Sequence, residues 1–211
     1  MIAVIGAGAM GEALMAGWIA AGTSPDEIVA VDQDTDRLAR LRERRGVRSV
    51  EVSGVSVAEV VVVAVKPHHV ATALTDIAPH LGPDAVVVSV AAGVTLARLT
   101  EVLPEGQPAI RVMPNTPALV GRGVAGLAAG PTVTPEQIAR VVAMMEAVGI
   151  CVELPESQFD ALTAISGSGP AYLFLIAEAM IEAGVHQGLG RDVATRLVNG
   201  TFAGAAAMLE G

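Results

Sequence analysis

The stretch Met1-Ile2-Ala3-Val4-Ile5-Gly6-Ala7-Gly8-Ala9-Met10-Gly11-Glu12-Ala13-Leu14-Met15-Ala16-Gly17-Trp18-Ile19-Ala20-Ala21 decides the fold. Ala3 to Ile5 reads as a buried strand and Glu12 to Ala21 as a good helical sequence, so Gly6, Gly8 and Gly11 form a G-x-G-x-x-G in a strand-turn-helix setting. In that setting Gly6 permits the tight turn, Gly8 lets a diphosphate approach the backbone, and Gly11 lets the helix pack on the strand. The N–H groups of Ala7, Ala9 and Met10 belong to the same loop, where an anion sits at the positive end of the helix dipole. A chance glycine cluster at a core turn is the competing reading.

Outward from this loop, β-branched runs alternate with helical segments through about residue 155. The strand candidates are Ala3–Ile5, Ile28–Val31, Val60–Val65, Ala85–Val90, Ala109–Val112, Val124–Leu127 and Ile150–Val152. Their continuous Val content predicts burial on both faces, hence an α/β fold with a doubly wound parallel sheet over residues 1–155. Asp34 to Arg45 places Leu38 and Leu41 on one side of a helix, and Thr134-Pro135-Glu136-Gln137 has the form of a capping box. From about 156 to 211 the strand signal ends. Two long helical patterns, Pro170 to Gln187 and Asp192 to Glu210, are joined by Gly188-Leu189-Gly190. A piece of under about 60 residues seldom holds its own core, so it is expected to dock on the first domain or on a second subunit.

Composition bounds the partners. The 211 residues are 52% hydrophobic and 17% charged, with a net charge of −9, which argues against a chain that coats nucleic-acid phosphates. The single cysteine, Cys151, forms no internal bridge and fits a reducing, cytoplasmic setting. The N-terminus lacks a secretory signal pattern. The longest uncharged stretch, between Asp160 and Glu178, carries Gly167, Gly169 and Pro170 and is read as too short to span a membrane.

Several further residues are site candidates. Asp32 follows the second strand, 21 residues beyond Gly11, where a dinucleotide site places the acid that binds the adenosine ribose and repels a 2′-phosphate. NADH is favoured on that basis, although Asp32, Asp34 and Asp36 also suit a solvated turn and Arg37 is able to swing toward a phosphate. Ala64-Val65-Lys66-Pro67 closes another strand, and Lys66 is the chain's sole lysine, either beside a cofactor or snorkelling to solvent. Ala91-Ala92-Gly93 and Met113-Pro114-Asn115-Thr116-Pro117 form small, rigid strand ends; Asn115 and Thr116 either bind a ligand or initiate a turn. Ser166-Gly167-Ser168-Gly169-Pro170 offers N–H groups and hydroxyls at a helix start, for a ligand or as a cap. No metal site is expected: His68 and His69 are adjacent, and His80 and His186 lack ligand-spaced partners.

Taken together, the chain resembles the pyrroline-5-carboxylate reductase family. The resemblance rests on Gly6 to Gly11, Ala64 to Pro67, Ser89-Val90-Ala91-Ala92-Gly93-Val94-Thr95, Met113 to Ala118 and Ser166 to Tyr172. It implies an N-terminal Rossmann domain and a smaller all-helical dimerisation domain interlocked with a second subunit, as a homodimer or higher oligomer. It implies an oxidoreductase of the last step of proline biosynthesis, reducing 1-pyrroline-5-carboxylate with NADH or NADPH. It implies cofactor contacts at Gly6 to Gly11, Ala64 to Pro67, Ala91 to Gly93 and near Asn115, to which the residues themselves add Asp32; Thr116, Ser166 and Ser168 are the expected hydrogen-bonding partners of the substrate. Two departures stand out. Family members commonly carry an Asn-Arg or similar pair, suited to NADPH, where this chain has Asp32-Gln33, and they continue past the equivalent of Gly211 with a Ser-Pro-Gly-Gly-Thr-Thr segment whose backbone holds the substrate carboxylate. The chain is therefore expected either to be shortened relative to the family or to rely on another anchor, with substrate affinity the property at stake. The competing functions are a cofactor-binding module without activity, an F420-dependent NADP reductase, and a β-hydroxyacid dehydrogenase, which needs a base that the absence of a second lysine argues against.

Overall fold

Val-rich tetrapeptides build the sheet at the centre of the computed structural model, which describes residues Met1 to Glu210. In chain order the strands are β1 (Ile2–Ile5), β2 (Ile28–Val31), β3 (Arg48–Ser49), β4 (Val60–Val63), β5 (Val86–Ser89), β6 (Ala109–Met113), β7 (Gly123–Ala129) and β8 (Gly149–Glu153). Their order across the sheet is β3-β2-β1-β4-β5-β6-β7-β8, with every pair parallel except β6 and β7. β1, β4 and β5 are buried along their whole length, as expected of strands covered on both faces.

Three features depart from the sequence expectation. β3 is an additional edge strand, two exposed residues long, with no hydrophobic pattern to announce it. β7 runs antiparallel because the short segment 114–122 that precedes it is no crossover, and a parallel return needs a dozen or more residues. β8 is not buried on both faces: as the far edge strand it exposes Ile150 (58%) and Val152 (44%), while Cys151 on its other face packs on the core.

The helices are α1 (Ala9–Ala20), α2 (Thr35–Arg45), α3 (Val70–Ile77), α4 (Leu96–Thr100), α5 (Pro135–Glu146), α6 (Phe159–Leu162), α7 (Gly169–His186) and α8 (Arg191–Glu210). On one face of the sheet, Val4, Val62, Val88 and Leu127 pack with Leu14, Trp18 and Met145 of α1 and α5; on the other, Ala3, Val61 and Val87 pack with Leu74 and Leu99 of α3 and α4. Trp18, 1% exposed, donates its indole N–H to the Met144 carbonyl at 2.8 Å, tying α1 to α5. Asp34 caps α2 through the Arg37 N–H, and Thr134 and Gln137 form the expected reciprocal cap on α5.

Met1–Gly167 forms one compact unit and Ser168 onward a second. The second unit is the helix pair α7 and α8, turning at Gly188 (φ +95°), with Gly184 and Ala194 in close approach. Both helices follow the expected bounds closely; Gly211, the last residue of the expected helical piece, lies outside the described residues. α7 exposes Leu173, Phe174, Leu175 and Ile176. By length and composition alone, the helical run Glu156–His186 is long and apolar enough to cross a membrane, a longer run than the uncharged stretch between Asp160 and Glu178. Within that run Thr163–Gly167 forms a π turn, Ser168 is a bend, and Pro170 falls in the first turn of α7.

Candidate active site

Register sets the site. Ile5, Val31, Val63 and Ser89 lie side by side at the carboxyl ends of β1, β2, β4 and β5, and the strand order reverses between β1 and β4. Open α/β sheets bind ligands at such a switch point. A cleft of about 1820 Å³ opens there, lined by Gly6, Gly8, Ala9 and Met10 from the first loop, by Asp32 to Thr35 and Arg37 after β2, and by Ala64 to Pro67, Ala91, Ala92 and Thr116.

The three glycines do different work. Gly6 holds φ at +98°, and a Cβ there would stand 2.9 Å from the Ala64 carbonyl carbon. A Cβ on Gly11 would meet the Gly6 oxygen at 2.1 Å, so this glycine serves helix packing rather than ligand contact. Gly8 has nothing within 4 Å of its Cβ position and caps α1 without any side-chain bond. It opens a cradle onto the first-turn N–H groups of the helix, which have no intrahelical partners. The loop therefore fits a diphosphate.

Asp32 is committed more heavily than its sequence position announced. Its Oδ2 accepts the Ala7 N–H at 2.7 Å, its Oδ1 accepts the Asp34 N–H at 2.9 Å, and Arg37 approaches Oδ2 at 3.1 Å. Burial alone would raise this carboxyl, but the Asp34 and Ala7 N–H groups and the Arg37 guanidinium outweigh it and hold Asp32 below the ordinary aspartate value. Ala7 thus gives its N–H to Asp32, not to the cleft. Arg37, whose own side chain is 40% exposed, is a cleft residue that the sequence reading named only in passing.

The remaining candidates divide. Lys66 is exposed at the cleft edge, and Thr116 is exposed on its rim. Gly93, at φ +76°, Asn115, Ser166 and Ser168 do not line the cleft. Asn115 is 6% exposed, and its amide bonds elsewhere: Oδ1 accepts the Val124 N–H at 2.8 Å and Nδ2 donates to the Ser166 carbonyl at 2.9 Å. Ser166, in the π turn, donates its hydroxyl to the Leu162 carbonyl at 3.0 Å. Ser168 begins the second unit, where its side chain makes no capping bond to α7.

One group was missed from sequence altogether. Arg111 on β6, 8% exposed, pairs with Glu156 at 2.9 Å and lies over the Phe159 ring at 4.4 Å, while the same Glu156 oxygen accepts the Leu96 N–H at the start of α4. A buried arginine in an otherwise apolar strand was the available signal.

Across the whole chain, pyrroline-5-carboxylate reductases of Mycobacterium leprae and Mycobacterium tuberculosis are 48% and 46% identical, each match covering 99% of this chain and 73% of the relative. The chain belongs to the pyrroline-5-carboxylate reductase family. Residues 156–211 match the family described as pyrroline-5-carboxylate reductase dimerisation, and residues 1–93 match NADP oxidoreductase, coenzyme F420-dependent. A solved pyrroline-5-carboxylate reductase from Coxiella burnetii is 38% identical with a TM-score of 0.92, covering 100% of this chain and 80% of its own. The Plasmodium falciparum structure, described with NADP bound, is 29% identical with a TM-score of 0.87, covering 99% of this chain and 78% of its own. The F420-type match is confined to the N-terminal residues, so membership in the reductase family is carried by relatives that match along the full chain.

Proposed function

We propose that this chain reduces the C=N bond of 1-pyrroline-5-carboxylate to give L-proline. Within the molecule, the observation that carries the reading is the open cradle at Gly8, at the N-terminus of α1 and at the switch point of the sheet. A reduced nicotinamide, when bound, supplies the hydride. The chain's own residues do the rest. Gly8 and the first turn of α1 bind the diphosphate, Asp32 takes the adenosine ribose, and Ala64 to Pro67 with Ala91 and Ala92 wall the cleft.

A protonated imine accepts hydride readily, so orientation and exclusion of water, rather than a strong acid, are what the protein must provide. Ser166 suits that requirement. Its proton is committed to the Leu162 carbonyl, which leaves its lone pairs free to accept from the N–H of a protonated imine. The exposed Thr116 hydroxyl and the Ser168 hydroxyl, not used as a cap, are the other proposed substrate partners.

NADH is the proposed preference. The cleft is lined by five carboxylates, Asp32, Asp34, Glu43, Glu51 and Asp76, against the fixed cations Arg37, Arg42 and Lys66. A 2′-phosphate would add negative charge beside the ionised Asp32. The proposed setting is the cytoplasm, with residues 156–211 joining two copies through apolar side chains such as Phe174 and Ile176. The test is to mix the chain with NADH and 1-pyrroline-5-carboxylate and follow the loss of reduced-nicotinamide absorbance. Steady loss dependent on both reactants supports the reading, and cofactor binding without turnover contradicts it.

A further inference from the structure

Ser166 sits where a helix is covalently short of one donor. In an α-helix its carbonyl would accept the N–H of residue 170, but that residue is Pro170, which has none. The N–H one residue further on, that of Ala171, goes to the Ser168 carbonyl instead. The Ser166 carbonyl would therefore be left without an N–H partner from its own helix. The missing donor comes from Asn115, whose Nδ2 reaches that oxygen at 2.9 Å. The other end of the same amide is fixed, since Oδ1 accepts the Val124 N–H at 2.8 Å, the second residue of β7. Asn115 is buried, and both ends of its amide are bonded within the protein, to the sheet and to the π turn.

We infer that Asn115 is a positioning residue for the imine reduction: its carboxamide fixes the π turn against β7 and thereby sets where the Ser166 hydroxyl stands. The inference rests on the proposed contact between Ser166 and substrate. Asparagine is the side chain the place demands, with one acceptor facing a backbone N–H and one donor facing a carbonyl. Aspartate has the same shape but meets the Ser166 carbonyl with an oxygen, and it restores the bond only when it carries a proton. The fold leaves no second side-chain donor to that carbonyl among the described residues.

The experiment compares Asn115→Asp and Ser166→Ala with the parent chain across pH, reading kcat/KM for pyrroline-5-carboxylate and, separately, the NADH dissociation constant by calorimetry. Asn115→Asp is expected to lower kcat/KM about tenfold at neutral pH, to recover toward the parent as pH falls, and to leave NADH affinity unchanged. In the Ser166→Ala background the same substitution is expected to cost little more. If Asn115→Asp does not fold, Asn115→Ser is read for the same split between substrate and NADH. Unchanged turnover in Ser166→Ala overturns the placement of Ser166 and the inference with it. Reduced turnover in Ser166→Ala, with parental turnover or a parallel loss of NADH affinity in the Asn115 variants, overturns the inference alone.

Discussion

The carboxylate of Asp32 accepts the backbone N–H of Ala7 at 2.7 Å, joining the end of β2 to the turn that follows β1. The residue expected to read the cofactor ribose is thus also a strap on the loop proposed to bind the diphosphate. Substituting it by asparagine weakens both. The folded carboxyl lies below its ordinary value, so its contribution is full above the unfolded pKa, near 4, and is lost as pH falls through the lowered folded value. Thermal melts of the parent and Asp32→Asn should therefore differ at neutral pH and converge in acid. Persistence of the full difference in acid would remove this account.

The glycines separate binding from folding. Gly8 has φ −70° and open space at its Cβ position, so Gly8→Val should keep the parental melting temperature within a few degrees while abolishing measurable NADH binding. Gly11→Ala should do the reverse first, lowering the melting temperature, because its Cβ would lie 2.1 Å from the Gly6 oxygen.

The Arg111 and Glu156 pair joins β6 to the segment that leads into the helices. Removing one partner leaves a charge poorly matched, though Glu156 keeps some solvent, at 29% exposure of its side chain. Arg111→Met should therefore cost about 2 kcal/mol, below the full range for a fully buried pair. Chemical denaturation with an unchanged slope checks it; a cost near zero would mean that the guanidinium contributes no net stability.

Cys151 should be a slow nucleophile. Burial, with help from Glu146 and Glu153, pushes its thiol up to about 11, so the thiolate is scarce at neutral pH. Alkylation by iodoacetamide should lag behind free cysteine and accelerate on unfolding. Reaction at the free-thiol rate in the native protein would contradict this environment.

The strand, turn and helix around Gly6 were legible because each follows a local rule, and the same is true of the Thr134 cap and the bounds of α2, α7 and α8. β3 was not, since Arg48 and Ser49 are exposed and carry no period. The reversal at β7 was readable in principle from the short segment before it, but the Val content of the neighbouring strands pulled the reading toward parallel. The double duties of Asp32 and Asn115 were hidden for a different reason. Their partners lie 25 and 51 residues away, and a hydrogen bond at that separation is created by the assembled sheet and not by any local pattern.

The hydride itself gives the most direct test of the proposed reaction. With NADH carrying deuterium at C4 of the nicotinamide on the transferred face, pyrroline-5-carboxylate should yield proline labelled at C5 by mass spectrometry, in amounts matching the NADH consumed. Proline without label, or no proline while NADH still binds, would contradict it.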